Sequence, residues 1–302
     1  MGLFDDLRRM FGYVPPMREG RVQCMGPHGL HHMAYVEWGE PTNPRVLVCV
    51  HGLTRNGRDF DFLAQALMLG YRVVCPDVAG RGRSEWLQVG ADYGFPVYLS
   101  DMATLIARLN VDTVHWVGTS MGGLIGMMLA AQPGTPITRL VLNDVGPLIT
   151  AESLKRIGEY VGKAPLFPSF DDADKYIRLT SEPFGALTDA QWRHLAEYSV
   201  RQRPDGQWEM RYDPALGEPF RNSFVYVDVD LWPVYEAVRC PTLLIRGADS
   251  DLLAPETALA MSRRGPRARL VEVPAVGHAP MFTDAFQIGL VRDFLLEEHP
   301  PG

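Results

Sequence analysis

The sequence predicts an α/β fold, a mostly parallel central sheet flanked by helices, and three observations carry that reading. Between residues 30 and 145, short apolar runs of strand type alternate with longer stretches of helical periodicity. Late in the chain, Pro241-Thr242-Leu243-Leu244-Ile245-Arg246-Gly247 reads as one more buried strand, and 268–273 as a last one. Finally, Gly118-Thr119-Ser120-Met121-Gly122 joins a strand-type run, 113–117, directly to a helix-type run, 123–131.

Taken in order, 30–38 is the first strand, with His31 and His32 expected on the surface, and 46–50 is the second. Helices follow over 59–69 and 97–109. After the strand 113–117, in which His115 is expected to pack on its neighbours, come the helix 123–131 and the strand 138–143. The alternation then stops. Residues 146–235 hold helical stretches at 151–161, 171–180 and 188–200, broken by Pro165, Pro168, Pro183 and Pro204. Trp208-Glu209-Met210-Arg211-Tyr212, after the turn signal Pro204-Asp205-Gly206, reads as a short strand or an extended loop. A chain of 302 residues with 46% hydrophobic content divides naturally into one large core, 1–145 with 236–302, and an inserted, mainly helical segment, 146–235.

The strand–Gly-x-Ser-x-Gly–helix context is that of a nucleophile elbow. The turn is so tight that a Cβ on either flanking glycine would strike the strand or the helix. It lifts the Ser120 hydroxyl above the sheet edge beside a helix N-terminus, where the amide of Met121 can face a developing oxyanion. A serine hydroxyl needs a base, and the base an orienting acid. Gly277-His278 follows the last strand, and an acidic segment, Ala248-Asp249-Ser250-Asp251, follows the strand before it. Of eight histidines, His278 alone lies on the loop directly after the last strand, which makes it the expected base; His299 falls in a Pro-rich tail.

These motifs resemble the α/β-hydrolase superfamily, in its serine-nucleophile branch with a helical cap, over nearly the whole chain. His51-Gly52-Leu53-Thr54 resembles the family's His-Gly oxyanion loop, and Asp77-Val78-Ala79-Gly80-Arg81-Gly82-Arg83-Ser84 its Asp-x-x-Gly-x-Gly-x-Ser segment. The resemblance implies that Leu53 and Met121 supply the backbone N–H groups of an oxyanion hole and that 146–235 is the cap. It also implies that His51 shapes its loop and that Asp77 fixes the Gly80–Gly82 turn. For the acid it favours Asp251, four residues before Pro255. Asp249 and Asp144 are the alternatives, the latter after the strand where some members keep their acid. Arg55 and Arg58 follow the oxyanion loop, and Arg55 is singled out as a residue to bind a substrate carboxylate.

The implied activity is hydrolysis of a carboxylic ester, lactone or thioester of small to medium size through an acyl-enzyme, with no cofactor and no metal. A serine at 120 disfavours the aspartate-dependent dehalogenases and epoxide hydrolases. Carbon–carbon hydrolases of meta-cleavage type remain an alternative, although the segment 51–57 lacks the Gly-Pro-Gly they often show. Cofactor-free haloperoxidases and a non-catalytic binding protein on the same fold are the others.

The resemblance implies a small-molecule substrate as the partner, and composition speaks against other classes. A formal charge of −7 offers no basic footprint for nucleic acid. No apolar run reaches the ~20 residues of a membrane span, and the acidic start of the chain is unlike a signal peptide, so a cytoplasmic location without stable membrane association is expected. The four cysteines show no metal-like spacing and read as packing residues. Leu3, Phe4, Leu7, Met10 and Phe11 form a stripe expected to pack on its own domain or on a second copy in a homo-oligomer.

Overall fold

The strand β3 (Val46–Val50) and its neighbour β4 (Arg72–Pro76) set the architecture, because nearly every residue in them is buried. Such strands are stable only with layers on both faces, and the computed structural model supplies them; it describes residues 16–221 and 227–297. An eight-stranded sheet is built from β1 (Arg18–Gly26), β2 (Gly29–Trp38), β3, β4, β5 (Val114–Thr119), β6 (Ile137–Asn143), β7 (Thr242–Gly247) and β8 (Arg269–Val273), in the order β1-β2-β4-β3-β5-β6-β7-β8. The hairpin β1–β2 is antiparallel and β2 meets β4 antiparallel; every pairing from β4 through β8 is parallel.

Two apolar layers result. One gathers Val48, Val50, Trp116, Leu140, Leu142 and Leu244 under α2 (Phe95–Leu109) and α3 (Met121–Ala130). The other gathers Leu47, Cys49, Val117, Val141 and Ile245 under α1 (Asp61–Leu67) and the C-terminal helix Ala285–Leu296. The carboxyl ends of the parallel strands therefore share one rim, where ligands bind in open α/β sheets.

Sequence reading and structure differ in places. The strands β1 and β4 are absent from the sequence reading: β1 is an edge strand, exposed on one face, and Arg18, Glu19 and Gly20 hide its pattern, while β4 is a short buried run that the reading passed over. His31 is buried rather than on the surface, hydrogen-bonded to Asp101. His115 packs as expected, its ring against the Tyr71 hydroxyl at 2.9 Å. The N-terminal stripe and His299 lie outside the described residues.

Between β6 and β7 the chain forms α4 (Ala151–Tyr160), α5 (Phe170–Thr180) and α6 (Asp189–Ser199), with a three-stranded sheet of Leu166–Phe167, Trp208–Met210 and Val200–Gln202. Each helix starts where a hydroxyl caps a free amide: Thr150, Ser169, and Thr188 in a capping box with Gln191. This insertion docks on the rim loops. Asn56 Nδ2 donates to Tyr198 O, Gln191 Nε2 to Thr283 O, and the Gly277 amide to Pro183 O.

Candidate active site

The site forms where β5 hands over to α3. Ser120 sits at φ 51° and ψ −116°, a conformation L-residues rarely adopt, held by its amide's bond to Asn143 O at 3.0 Å. The flanking glycines make the turn feasible. A Cβ on Gly118 would overlap the Gly122 carbonyl, and one on Gly122 would overlap the Val50 carbonyl. Ser120 is consequently the residue from which α3 starts, and its side chain caps no amide of that helix.

His278 comes from the loop after β8. Its Nε2 lies 3.0 Å from Ser120 Oγ and its Nδ1 2.6 Å from Asp144 Oδ2. Asp144 follows β6, is fully buried, and stands at φ 53°. Its Oδ1 accepts from the Gly247 amide at 2.9 Å, and its Oδ2 also accepts from Ser250 Oγ at 2.6 Å. An Nδ1–H donated to this carboxylate leaves Nε2 as the acceptor facing Ser120, the tautomer that can take the hydroxyl proton.

The expected acid is not there. Asp251 is exposed and pairs with Arg156 at 2.8 Å. The reason lies in the loop after β7. Buried Arg246 gathers it by donating from Nε to Leu253 O, from Nη1 to Ala248 O and from Nη2 to Ser250 O. Folded around that guanidinium, the loop turns Ser250 inward and Asp251 outward. Asp249 is exposed as well, its amide bonded to Val276 O. Sequence reasoning kept Asp144 as an alternative but missed Ser250, Gly247 and Arg246 as its supports. The only signal was the pairing of Asp144 with the end of a buried strand.

The loop 51–58 completes the rim. A Cβ on Gly52 would stand 3.7 Å from Ser120 Cβ, so this loop lies against the serine. Among the described residues, neither the Leu53 nor the Met121 amide has an acceptor in the protein. His51 holds the loop: Nδ1 faces Gly52 O at 2.7 Å, and Nε2 accepts from the Val78 amide at 2.9 Å. That pattern assigns the neutral Nδ1–H tautomer. Burial agrees with it, pushing the imidazole down to about 3. Asp77 clamps the turn from below, accepting from the Gly57 and Arg83 amides at 2.8 Å each. Arg81 is fully buried and donates to Leu53 O, Ala79 O and the Tyr98 hydroxyl, tying the rim loops together.

Arg55 is held rather than presented. Its Nε and Nη2 bind Asp59 at 2.8 and 2.6 Å, and Nη1 donates to Ser199 Oγ on α6 at 2.8 Å. Arg58 is likewise tied to Asp61 and lies 3.8 Å from the Tyr198 ring centroid. Both arginines therefore fasten the insertion to the loop.

The chain belongs to the alpha/beta hydrolase family, whose model matches residues 47–287, and it is a hydrolase. Among its relatives is the 3-hydroxybutyrate-oligomer hydrolase of Cupriavidus necator, 53% identical over 284 residues, or 92% of this chain and 97% of that one. Two solved structures share the fold closely. A putative hydrolase from Rickettsia typhi is 32% identical, with a TM-score of 0.86 over 94% of this chain and 100% of that one. An alpha/beta hydrolase from Novosphingobium aromaticivorans is 33% identical, with a TM-score of 0.83 over 94% and 99%. No helix among the described residues is long and apolar enough to cross a membrane.

Proposed function

We propose that the protein is a serine esterase cleaving short hydroxyacyl ester oligomers through an acyl-enzyme. The observation that carries the reading is the hydrogen-bonded chain from Ser120 through His278 to buried Asp144, at 3.0 and 2.6 Å. Ser120 Oγ attacks the ester carbonyl while His278 Nε2 takes its proton. Asp144 holds the imidazole in register and stabilises the imidazolium. The Leu53 and Met121 amides face the oxyanion. The tetrahedral intermediate collapses, and the alcohol leaves with the proton from His278. A water activated by the same imidazole then releases the acid. The preference for 3-hydroxybutyrate-type oligomers rests on the C. necator relative, with which nearly the whole length is shared.

In this reading the insertion is a cap. It docks through α6 and Pro183 onto the loops that carry Leu53 and His278, so it bounds the acyl site and sets the length of chain admitted. A fluorophosphonate probe should label Ser120, and Ser120→Ala should lose labelling together with hydrolysis of 3-hydroxybutyrate dimers and trimers, by several orders of magnitude in kcat. Unlabelled wild type, or an active Ser120→Ala protein, would remove the serine mechanism. A labelled enzyme that ignores the dimer and trimer but cleaves other esters would remove only the substrate.

A further inference from the structure

At the far edge of the sheet, Cys24, His31 and Asp101 bring a thiol, an imidazole and a carboxylate together, with their ligand atoms all within 4.8 Å of one another. Cys24 and His31 are a cross-strand pair of the β1–β2 hairpin, and Asp101 reaches them from α2. The edge strand β1 lies four strand spacings from β5, which carries Ser120; that is about 19 Å at 4.8 Å per strand. The cluster is therefore no part of the site described above. All three residues are at least 96% buried.

His31 Nε2 engages Asp101 Oδ2 at 2.9 Å. The other oxygen, Oδ1, is buried and receives no N–H or O–H hydrogen bond from the described residues. The Cys24 thiol directs Sγ toward Val22 O at 3.9 Å and also interacts with the carboxylate. A buried carboxylate oxygen left unsatisfied costs about 1–3 kcal/mol and in native proteins calls for a water or an ion. Of the three residues, His31 borders a surface cleft of 260 Å³, which it shares with His28, Glu85 and Asp92.

We propose that Cys24, His31 and Asp101 form a binding site for a divalent cation of zinc type, completed by one water from this cleft. The donor set selects the class: thiolate, imidazole and carboxylate together suit Zn²⁺, whereas Ca²⁺ and Mg²⁺ take oxygen alone. With metal–ligand bonds of about 2.0–2.3 Å, a tetrahedral ion holds its ligand atoms roughly 3.5 Å apart, so the cluster closes on the ion by moving about 1 Å. The ion would pin the edge hairpin β1–β2 to α2. Binding replaces the thiol proton by the metal and releases that proton to solvent. The ligand spacing is invisible to sequence motifs because the strand pairing and a helix, not a short loop, bring the donors together.

The test uses the full chain, stripped with a chelator, desalted, and titrated with Zn²⁺ and separately with Co²⁺. Expected are about one equivalent of Zn²⁺ per chain, a raised thermal midpoint, and with Co²⁺ a thiolate-to-metal charge-transfer band. Cys24→Ser should abolish that band, and Asp101→Asn should weaken Zn²⁺ binding by more than about 100-fold, beyond the loss of an outer-shell partner. Cys240→Ser, which removes the half-buried cysteine elsewhere, should leave both unchanged. Circular dichroism establishes that each variant is folded. Failure of the wild type to bind Zn²⁺ stoichiometrically, or a Co²⁺ spectrum without the thiolate band, overturns the proposal without any variant. A band that survives in Cys24→Ser overturns it too.

Discussion

Replacing Asp144 by asparagine tests the site most sharply, because Asp251→Asn is its natural control. Asp144 uses both oxygens: Oδ1 accepts from the Gly247 amide, and Oδ2 faces His278 Nδ1 and Ser250 Oγ. Asparagine keeps one acceptor and must choose. With its oxygen toward His278, its NH₂ meets the Gly247 N–H donor to donor in a fully buried place, at a cost of about 1–3 kcal/mol. With its oxygen toward Gly247, the NH₂ faces Nδ1 and forces the imidazole to accept there. Nε2 then carries the proton and cannot take one from Ser120. The second arrangement is the cheaper, so the tautomer is wrong in most molecules. Such a change lowers kcat about 10⁴-fold, or about 5.4 kcal/mol at about 1.36 kcal/mol per decade. By contrast, Asp251 and Arg156 form an exposed pair, with side chains 61% and 45% exposed. A pair of this kind is worth at most about 1 kcal/mol to stability, and Asp251→Asn should leave kcat within about twofold. Steady-state hydrolysis of a p-nitrophenyl ester measures both, with circular dichroism and thermal midpoints to show that the proteins are folded. An Asp144→Asn enzyme within tenfold of wild type, or an Asp251→Asn enzyme more damaged than it, refutes the reasoning.

Three further expectations follow from other parts of the structure. His51, pushed down to about 3 by burial, binds its proton far more weakly in the folded than in the unfolded state, so its contribution is complete above about pH 6.5 and falls with pH below that, by about 1.4 kcal/mol per unit at the steepest. Burial pushes Asp61, Asp77 and Asp101 up, which works in the opposite sense. The His51 share is therefore read as the difference in pH slope between wild type and His51→Gln in urea unfolding at about pH 7, 5.5 and 4.5; equal slopes would count against it. Gly122→Ala places a Cβ against the Val50 and His51 carbonyls, backbone that cannot yield, and should cost more than about 3 kcal/mol of stability together with most activity; a thermal midpoint near wild type contradicts this. If the insertion is a cap, shortening it between Glu182 and Leu187 should change the preference among acyl chain lengths, measured on a graded ester series, before it changes the reaction with the fluorophosphonate probe; an unaltered profile, or a wild type that prefers emulsified long-chain triglycerides, removes the cap reading.

Much of the fold was legible because its signals are local. The buried strands β3, β5, β6 and β7 declare themselves as short apolar runs, and the Ser120 turn declares itself by glycines whose absent Cβ atoms make room for backbone. His278 was placed by its position after the last strand. Apart from β4, a short buried run that was passed over, what escaped depends on partners distant in sequence. β1 is a strand only because β2 pairs with it along nine positions, from Arg18–Glu37 to Gly26–Gly29. His31 is buried because Asp101, 70 residues later, comes to meet it.

The acid shows why spacing could not decide. In the sheet order, β6 and β7 are adjacent parallel strands, and β8 with His278 lies beyond β7. A carboxylate at the carboxyl end of either strand starts near the imidazole, so Asp144 and the aspartates of the 248–251 loop are equivalent to first order. What separates them is the use of the β7 loop for another purpose. Arg246 winds that loop around its guanidinium, and the loop then presents a hydroxyl, from Ser250, and an amide, from Gly247, toward the rim. Two donors facing one point need an acceptor, and buried Asp144, turned inward at φ 53°, supplies it. An acid on the β7 loop would leave those donors unanswered and bring a second carboxylate beside the first, at the cost of like-charge repulsion in a buried place. The placement of Asp144, rather than Asp251, beside His278 is thus written in Arg246 and Ser250.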